Sequence, residues 1–287
     1  MIWKVGPRSE ILLPMSHAEH ETDSHSGPSS NGDVARTAKE RHAIVVGASS
    51  GMGAALVEQL AREGVSVVAI ARRKDALDAL AERCKHAPGR VIPIAHDVHD
   101  YDAVPALFER CVRELGGLDL FVYATGIMTE VGPQEFDTRK DIEMLAVNVG
   151  GCMAWTNEVA KLLRTQRSGT IVGISSIAGE RGRKGNPVYG ASKAAMNHYL
   201  EALRNRLADY GVHVCTIKPG FVETAMLAQA RAQGRTIQGA ITAEAAARSI
   251  LRAARARRNE VFVPFKWTLV AAVIRNIPSF LFKGMNI

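Results

Sequence analysis

A chain of 287 residues has room for one large α/β domain or two small ones. Its hydrophobic fraction of 47% and charged fraction of 23% are ordinary for a soluble globular protein, and no stretch approaches the ~18 continuous apolar residues of a membrane span. The net charge of +7 is modest, and its densest source (Arg252, Arg255, Arg257 and Arg258) ends a predicted helix, where the dipole favours cations, so a solvated helix end is expected there and no nucleic-acid partner. Cys84, Cys111, Cys152 and Cys215 form no Cys-x-x-Cys pair and read as reduced core thiols. With no basic-then-apolar leader, a cytoplasmic location is expected.

In chain order, residues 1–40 stand apart. Ser16 to Asp33 holds serines, glycines, acidic residues and His17, His20 and His25 with almost nothing apolar, which predicts a disordered tail. The histidines have no metal-ligand spacing, so no metal is expected, and Met15 is an alternative start. The folded region opens on an apolar strand, 42–46, followed by Gly47-Ala48-Ser49-Ser50-Gly51-Met52-Gly53 and a helix over 52–63. Strand, glycine-rich turn and helix is the arrangement that holds a dinucleotide. Gly47 permits the tight turn, Gly51 lets backbone approach a pyrophosphate, and Gly53 lets helix pack on strand, with phosphate at the helix N-terminus. The spacing is G-x-x-x-G-x-G rather than G-x-G-x-x-G.

The second strand, 65–70, runs into Ala71-Arg72-Arg73-Lys74. An NAD site places an acidic residue about 20 positions past the glycines. Arg73 stands there instead, and arginine grips a 2′-phosphate through its fork of donors, so NADP(H) is expected over NAD(H). Further strands are predicted at 91–95, 118–122, 169–174, 212–217 and 260–263, and helices at 75–85, 102–115, 139–165, 188–209 and 243–257. This alternation predicts a single doubly wound Rossmann-type α/β domain over 41–263, with a parallel sheet of about seven strands. The helix over 188–209 carries Tyr189 and Lys193 four residues apart, on one face. A cation fixed beside a phenol favours the phenolate and brings a pKa of about 10 toward the working range, as a general acid/base requires.

Together these segments resemble the short-chain dehydrogenase/reductase family. Tyr123-Ala124-Thr125-Gly126 stands where the family has its Asn-Asn-Ala-Gly turn, Ile171 to Gly179 looks like the strand ending in the catalytic serine, and Pro219-Gly220-Phe221-Val222-Glu223-Thr224 matches its cofactor-binding turn. Val46, Tyr123 and Thr125 depart from the usual residues, at positions that bear on supporting hydrogen bonds. The resemblance implies hydride transfer between nicotinamide and a ketone or secondary alcohol. It implies Tyr189 as acid/base and Ser176, thirteen positions earlier, as the group holding the substrate oxygen, with Ser175 facing the other way. Lys193 would lower the Tyr189 pKa and hold the ribose, and Asn148 would hold a water that links Lys193 to solvent. The implied cofactor contacts are Gly47, Ser49, Ser50, Gly51, Met52, Gly53, Arg72, Arg73, Asp97, Val98, Ala124, Gly126, Tyr189, Lys193, Pro219, Gly220, Val222 and Thr224. Asp97 reads equally as an adenine contact and as a strand-end turn carboxylate. The family also implies a homodimer or homotetramer through helices 139–165 and 188–209.

Two rival functions remain: a nucleotide-binding regulator that has lost catalysis, against which the intact Asn148, Ser176, Tyr189 and Lys193 argue, and an epimerase, which needs a longer C-terminal domain. The break in alternation at 221–241 predicts a substrate lid, with Gln229, Arg231, Gln233, Arg235, Thr236 and Gln238 as its few polar groups, which suits a lipophilic substrate. The segment 264–287 has no acidic residue, three cations (Lys266, Arg275 and Lys283) and a dense apolar set. Trp267, Val270, Ile274 and Ile277 recur at helical spacing, which predicts a packed or dimer-forming helix. Weak contact with a membrane surface is the alternative.

Overall fold

The protein is described by a computed structural model covering residues 41–132, 134–232 and 238–285. The predicted tail 1–40, with Met15 and its histidines, and lid residues Gln233, Arg235 and Thr236 lie outside the described residues.

Seven strands form one parallel sheet: β1 (His42–Val46), β2 (Ser66–Ala71), β3 (Val91–Ala95), β4 (Leu120–Tyr123), β5 (Thr170–Ile174), β6 (His213–Pro219) and β7 (Glu260–Val263), in the order β3-β2-β1-β4-β5-β6-β7. The strands are apolar runs because both faces are covered. Ala43 and Val45 of β1 enter one core, and Ile44 and Val46 the other. On the first side pack α1 (Gly51–Arg62), α2 (Lys74–Arg83) and α8 (Ala243–Arg255); on the second, α3 (Val104–Leu115), α5 (Gly151–Gln166) and α6 (Pro187–Leu207). The chain order reverses between β1 and β4, which opens a crevice at the carboxyl ends of the strands. All four cysteines are buried and unbonded, and burial pushes Cys111, Cys152 and Cys215 up to about 12, as expected of inert core thiols.

Two segments differ from expectation. The helix predicted over 139–165 divides into α4 (Thr138–Leu145), a π turn over Ala146–Gly150, and α5. A π turn needs outside donors for the carbonyls it frees. Tyr101 Oη donates to the Ala146 carbonyl (2.8 Å) and Tyr123 Oη to the Val147 carbonyl (2.6 Å). The lid predicted over 221–241 contains a helix, α7 (Ala225–Ala232), whose Arg231 pairs with Glu223 through two bonds of 2.8 and 2.9 Å.

The C-terminal segment forms α9 (Lys266–Asn276) and, after Pro278, a short α10 (Ser279–Phe282). Lys218 of β6, 3% exposed in its side chain, pairs with Glu180 (2.8 Å) and Glu260 (2.7 Å), and Arg275 of α9 pairs with both carboxylates. Arg181 donates to the Ile274 carbonyl (2.8 Å) and to that of Ile277, where α9 ends. The packed helix expected here is present. Its inward side chains are Trp267, Ala271 and Ile274, while Val270 faces out.

Candidate active site

The glycine turn between β1 and α1 lines a cleft of about 690 Å³ at the switch point. Gly47 adopts φ +94°, and a Cβ there would sit 2.6 Å from the Thr125 nitrogen, so only glycine lets the turn after β1 close on the turn after β4. A Cβ on Gly53 would overlap the Gly47 carbonyl, which is the close helix-on-strand approach the spacing predicts. Helix α1 begins without a side-chain cap, leaving its first N–H groups for an anion. Arg73 donates to Ser49 Oγ and Ser50 Oγ, both at 3.0 Å, and closes over the turn.

Gly47, Ser49, Ser50, Gly51, Met52, Gly53, Arg72, Arg73, Val98, Ala124, Gly126 and Thr224 all line this cleft. Four predicted residues do other things. Asp97 accepts from the His99 N–H (3.1 Å) and faces its Nδ1 (3.0 Å). Burial would raise its pKa, but His99 and Arg72 hold it below the usual carboxylate range. Gly220 meets the Trp267 indole, where a Cβ would overlap the ring. Pro219 ends β6, and Val222 is buried on a bridge to Ile241. His96 was missed. It lines the cleft with Nε2 buried and without a hydrogen-bond partner among the described residues, and burial lowers its pKa. An unpartnered polar atom, a glycine turn closed too tightly for a Cβ at Gly47 or Gly53, and two arginines in the lining fit a phosphate-bearing dinucleotide. In the sequence His96 is marked only by its place at the end of β3, beside Asp97.

None of the four predicted catalytic residues lines the cleft itself, but Gly126 at its inner end borders two of them: a Cβ there would sit 3.1 Å from Lys193 Nζ and 3.4 Å from Asn148 Oδ1. The start of α6 explains where Tyr189 sits. Asn186 caps the helix, accepting from the Tyr189 N–H (3.0 Å), and Pro187 occupies the first helical position, where a missing N–H costs nothing. Tyr189 therefore lies in the first turn, 9% exposed, with Ser176 neighbouring its hydroxyl. Ser175 donates instead to the Lys193 carbonyl (3.0 Å), so the two serines face opposite ways as predicted. Asn148, fully buried in the π turn, donates to the Ile127 carbonyl (3.0 Å) and the Ser192 hydroxyl (2.9 Å), and accepts from the Ile127 N–H (2.8 Å).

The electrostatics depart from expectation. Burial raises the Tyr189 pKa above its ordinary value, offset in part by the neighbouring Ser176 hydroxyl and the charge of Arg183. The Lys193 ammonium lies 5.9 Å from the phenol ring centroid and donates to the Ile174 carbonyl (3.1 Å). Burial pulls its own pKa down to about 8. In this state Lys193 does not tune the phenol, because desolvation dominates both groups.

A doubly wound sheet with a glycine turn on the switch-point cleft defines a nucleotide-binding α/β protein. The model of the short chain dehydrogenase family matches residues 41–235. An uncharacterized oxidoreductase of Myxococcus xanthus is 37% identical over 188 residues, 66% of this chain and 74% of that protein. Short-chain reductase protein NovJ of Streptomyces niveus is 36% identical over 194 residues, 66% of this chain and 72% of that protein. A short-chain type dehydrogenase/reductase from Mycobacterium marinum superposes with a TM-score of 0.72 at 25% identity, over 79% of this chain and 95% of that one. A variant actinorhodin polyketide ketoreductase, solved with NADPH, reaches the same 0.72 at 24% identity, over 78% of this chain and 95% of that one, and supports the fold alone. The chain belongs to the short-chain dehydrogenase family and is an oxidoreductase.

Proposed function

We propose that the protein is an NADP(H)-dependent oxidoreductase interconverting a lipophilic ketone and its secondary alcohol. The reading is carried by the Tyr189 hydroxyl meeting Ser176, with the Lys193 ammonium over the same ring, beside Gly126 of the cleft. NADP(H), when bound, supplies or accepts the hydride. Tyr189 Oη gives its proton to the carbonyl oxygen during reduction and takes it back during oxidation. The Ser176 hydroxyl donates to the same oxygen as negative charge develops, held by its own bond from the Ala178 N–H (3.1 Å). Asn148 fixes the Ile127 backbone at the cleft's inner end. Tyr189 packs with Met144, Ala178, Met128 and Val188, an apolar wall that favours a lipophilic substrate.

The preference for NADP(H) rests on Arg72 and Arg73 at the rim, with no carboxylate lining the cleft among the described residues. Fluorescence titration should show NADPH binding about tenfold or more tighter than NADH, since a charge-assisted hydrogen bond is worth ~1.5–3 kcal/mol. Arg73→Asp should narrow or reverse that ratio, and equal affinities in the unmodified protein would defeat the assignment. A panel of ketones and secondary alcohols assayed for NADPH or NADP turnover tests the reaction itself. We further propose a homo-oligomer built through α5 and α6, as the family resemblance implies.

A further inference from the structure

The C-terminal segment buries one side and leaves the other open. Ala271, on the inner side of α9, is 1% exposed, whereas Phe265, Leu269 and Val273 recur every fourth residue and are 75, 67 and 62% exposed. They form one stripe. Beyond Pro278, Phe280 and Leu281 add side chains 70 and 54% exposed. Arg181 and the Arg275 ion pairs already hold the inner side, so the apolar outer side is not needed to keep α9 in place. A contiguous patch of this kind marks an interaction surface.

The charges around it have one sign. No acidic residue occurs from Val261 to Ile287, while Lys266 and Lys283 are exposed. Where α10 ends, a second cavity of about 530 Å³ is lined by Arg181, Arg183, Lys184, Lys283, Phe282 and Met285 among others, with no carboxylate among the described residues. We infer that this face docks on an anionic lipid surface, with Phe265, Leu269, Val273, Phe280 and Leu281 entering the headgroup boundary and the cationic cavity receiving lipid phosphate. A bilayer supplies both the apolar depth and the negative charge this surface lacks. A second copy does not. Two-fold symmetry would set the patch against itself and bring Lys266 and Lys283 toward their own counterparts with no acid in the segment to pair them. The mode is peripheral: no described helix is long and apolar enough to cross a membrane. Pro187, two residues before Tyr189, lines the same cavity, so docking would bring the proposed chemistry to the lipid. That consequence rests on the function proposed above; docking itself does not.

Co-sedimentation of the full-length protein with vesicles tests the inference without any turnover assay. Retention is expected on phosphatidylcholine mixed with phosphatidylglycerol, little on phosphatidylcholine alone, and less at high salt. Removing cations by Lys184→Gln and Lys283→Gln should weaken binding roughly fivefold each. Leu269→Glu with Val273→Glu should abolish retention while NADPH binding persists. If those glutamates unfold the chain, the exposed lysine variants still decide the matter. The inference is overturned by no retention on anionic vesicles, or by retention unchanged in the variants. It is equally overturned if inorganic phosphate binds in the absence of vesicle retention, which assigns the cavity to a soluble anion. A dimer in light scattering that the paired glutamates break, without vesicle retention, would give the face to a second copy.

Discussion

Replacing Lys193 by methionine should stabilise the cofactor-free protein at neutral pH. Lys193 is 3% exposed, and burial lowers its pKa from 10.5 to about 8. At ~1.4 kcal/mol per tenfold change in proton affinity, carrying the ammonium costs the fold about 3 kcal/mol. Methionine keeps the unbranched shape and removes the charge, but it forfeits the bond to the Ile174 carbonyl, worth about 1 kcal/mol. A net gain of about 1–2 kcal/mol should raise Tm by roughly 4 °C in a domain of this size. The sign with pH is definite. A lowered pKa means that the unfolded chain keeps its proton to higher pH than the folded one. The cost is therefore whole below about 8 and vanishes as pH rises toward 10.5. Thermal unfolding followed by circular dichroism should show the variant ahead at neutral pH and slightly behind the parent above pH 10.5, where only the lost hydrogen bond remains. A less stable variant at neutral pH, or a lead that persists at high pH, would refute the reasoning.

Three other substitutions test the supporting structure. Glu180→Ala strands the buried Lys218 with only the half-exposed Glu260; urea denaturation should show a loss of about 3 kcal/mol, and a loss under ~0.5 kcal/mol, the scale of ordinary surface changes, would contradict that network. Gly53→Ala drives a methyl into the Gly47 carbonyl, so stability should fall by about 2 kcal/mol and NADPH titration should weaken sharply; unchanged affinity would remove the glycine cradle from the cofactor site. Tyr123→Phe leaves the Val147 carbonyl without its phenol donor, for about 1–3 kcal/mol, and hydrogen exchange over 146–150 should quicken, while unaltered exchange would deny Tyr123 that support.

All seven strands were legible because a buried parallel strand is written in a short, mostly apolar run, as in Ala43 to Val46 and Val67 to Ala71. The glycine turn was legible because Gly47 and Gly53 tolerate no side chain for reasons visible in their spacing. The π turn was not. Its cause lies in two tyrosine hydroxyls, from Tyr101 and Tyr123, that only the fold brings to Ala146 and Val147. Tyr123, which reads as a departure from the family pattern, is the donor that holds the turn carrying Asn148. Gly220 reads as a cofactor contact, yet it faces Trp267, a pairing across 47 positions that local sequence cannot state. The Tyr189 and Lys193 pKa values also escaped, because four-residue spacing reveals proximity and says nothing of desolvation. The outward stripe on α9 was hidden among equally apolar inward residues until the helix had a direction.

The proposed chemistry stands most directly on Tyr189. Tyr189→Phe keeps the ring within its apolar wall and removes only the hydroxyl that meets Ser176. Once a substrate is found, single-turnover reduction with NADPH should slow by about 10²–10⁴-fold, the contribution of a positioned general acid, while NADPH affinity stays as in the parent. Reduction at the parental rate by Tyr189→Phe, with the cofactor bound, would contradict the mechanism.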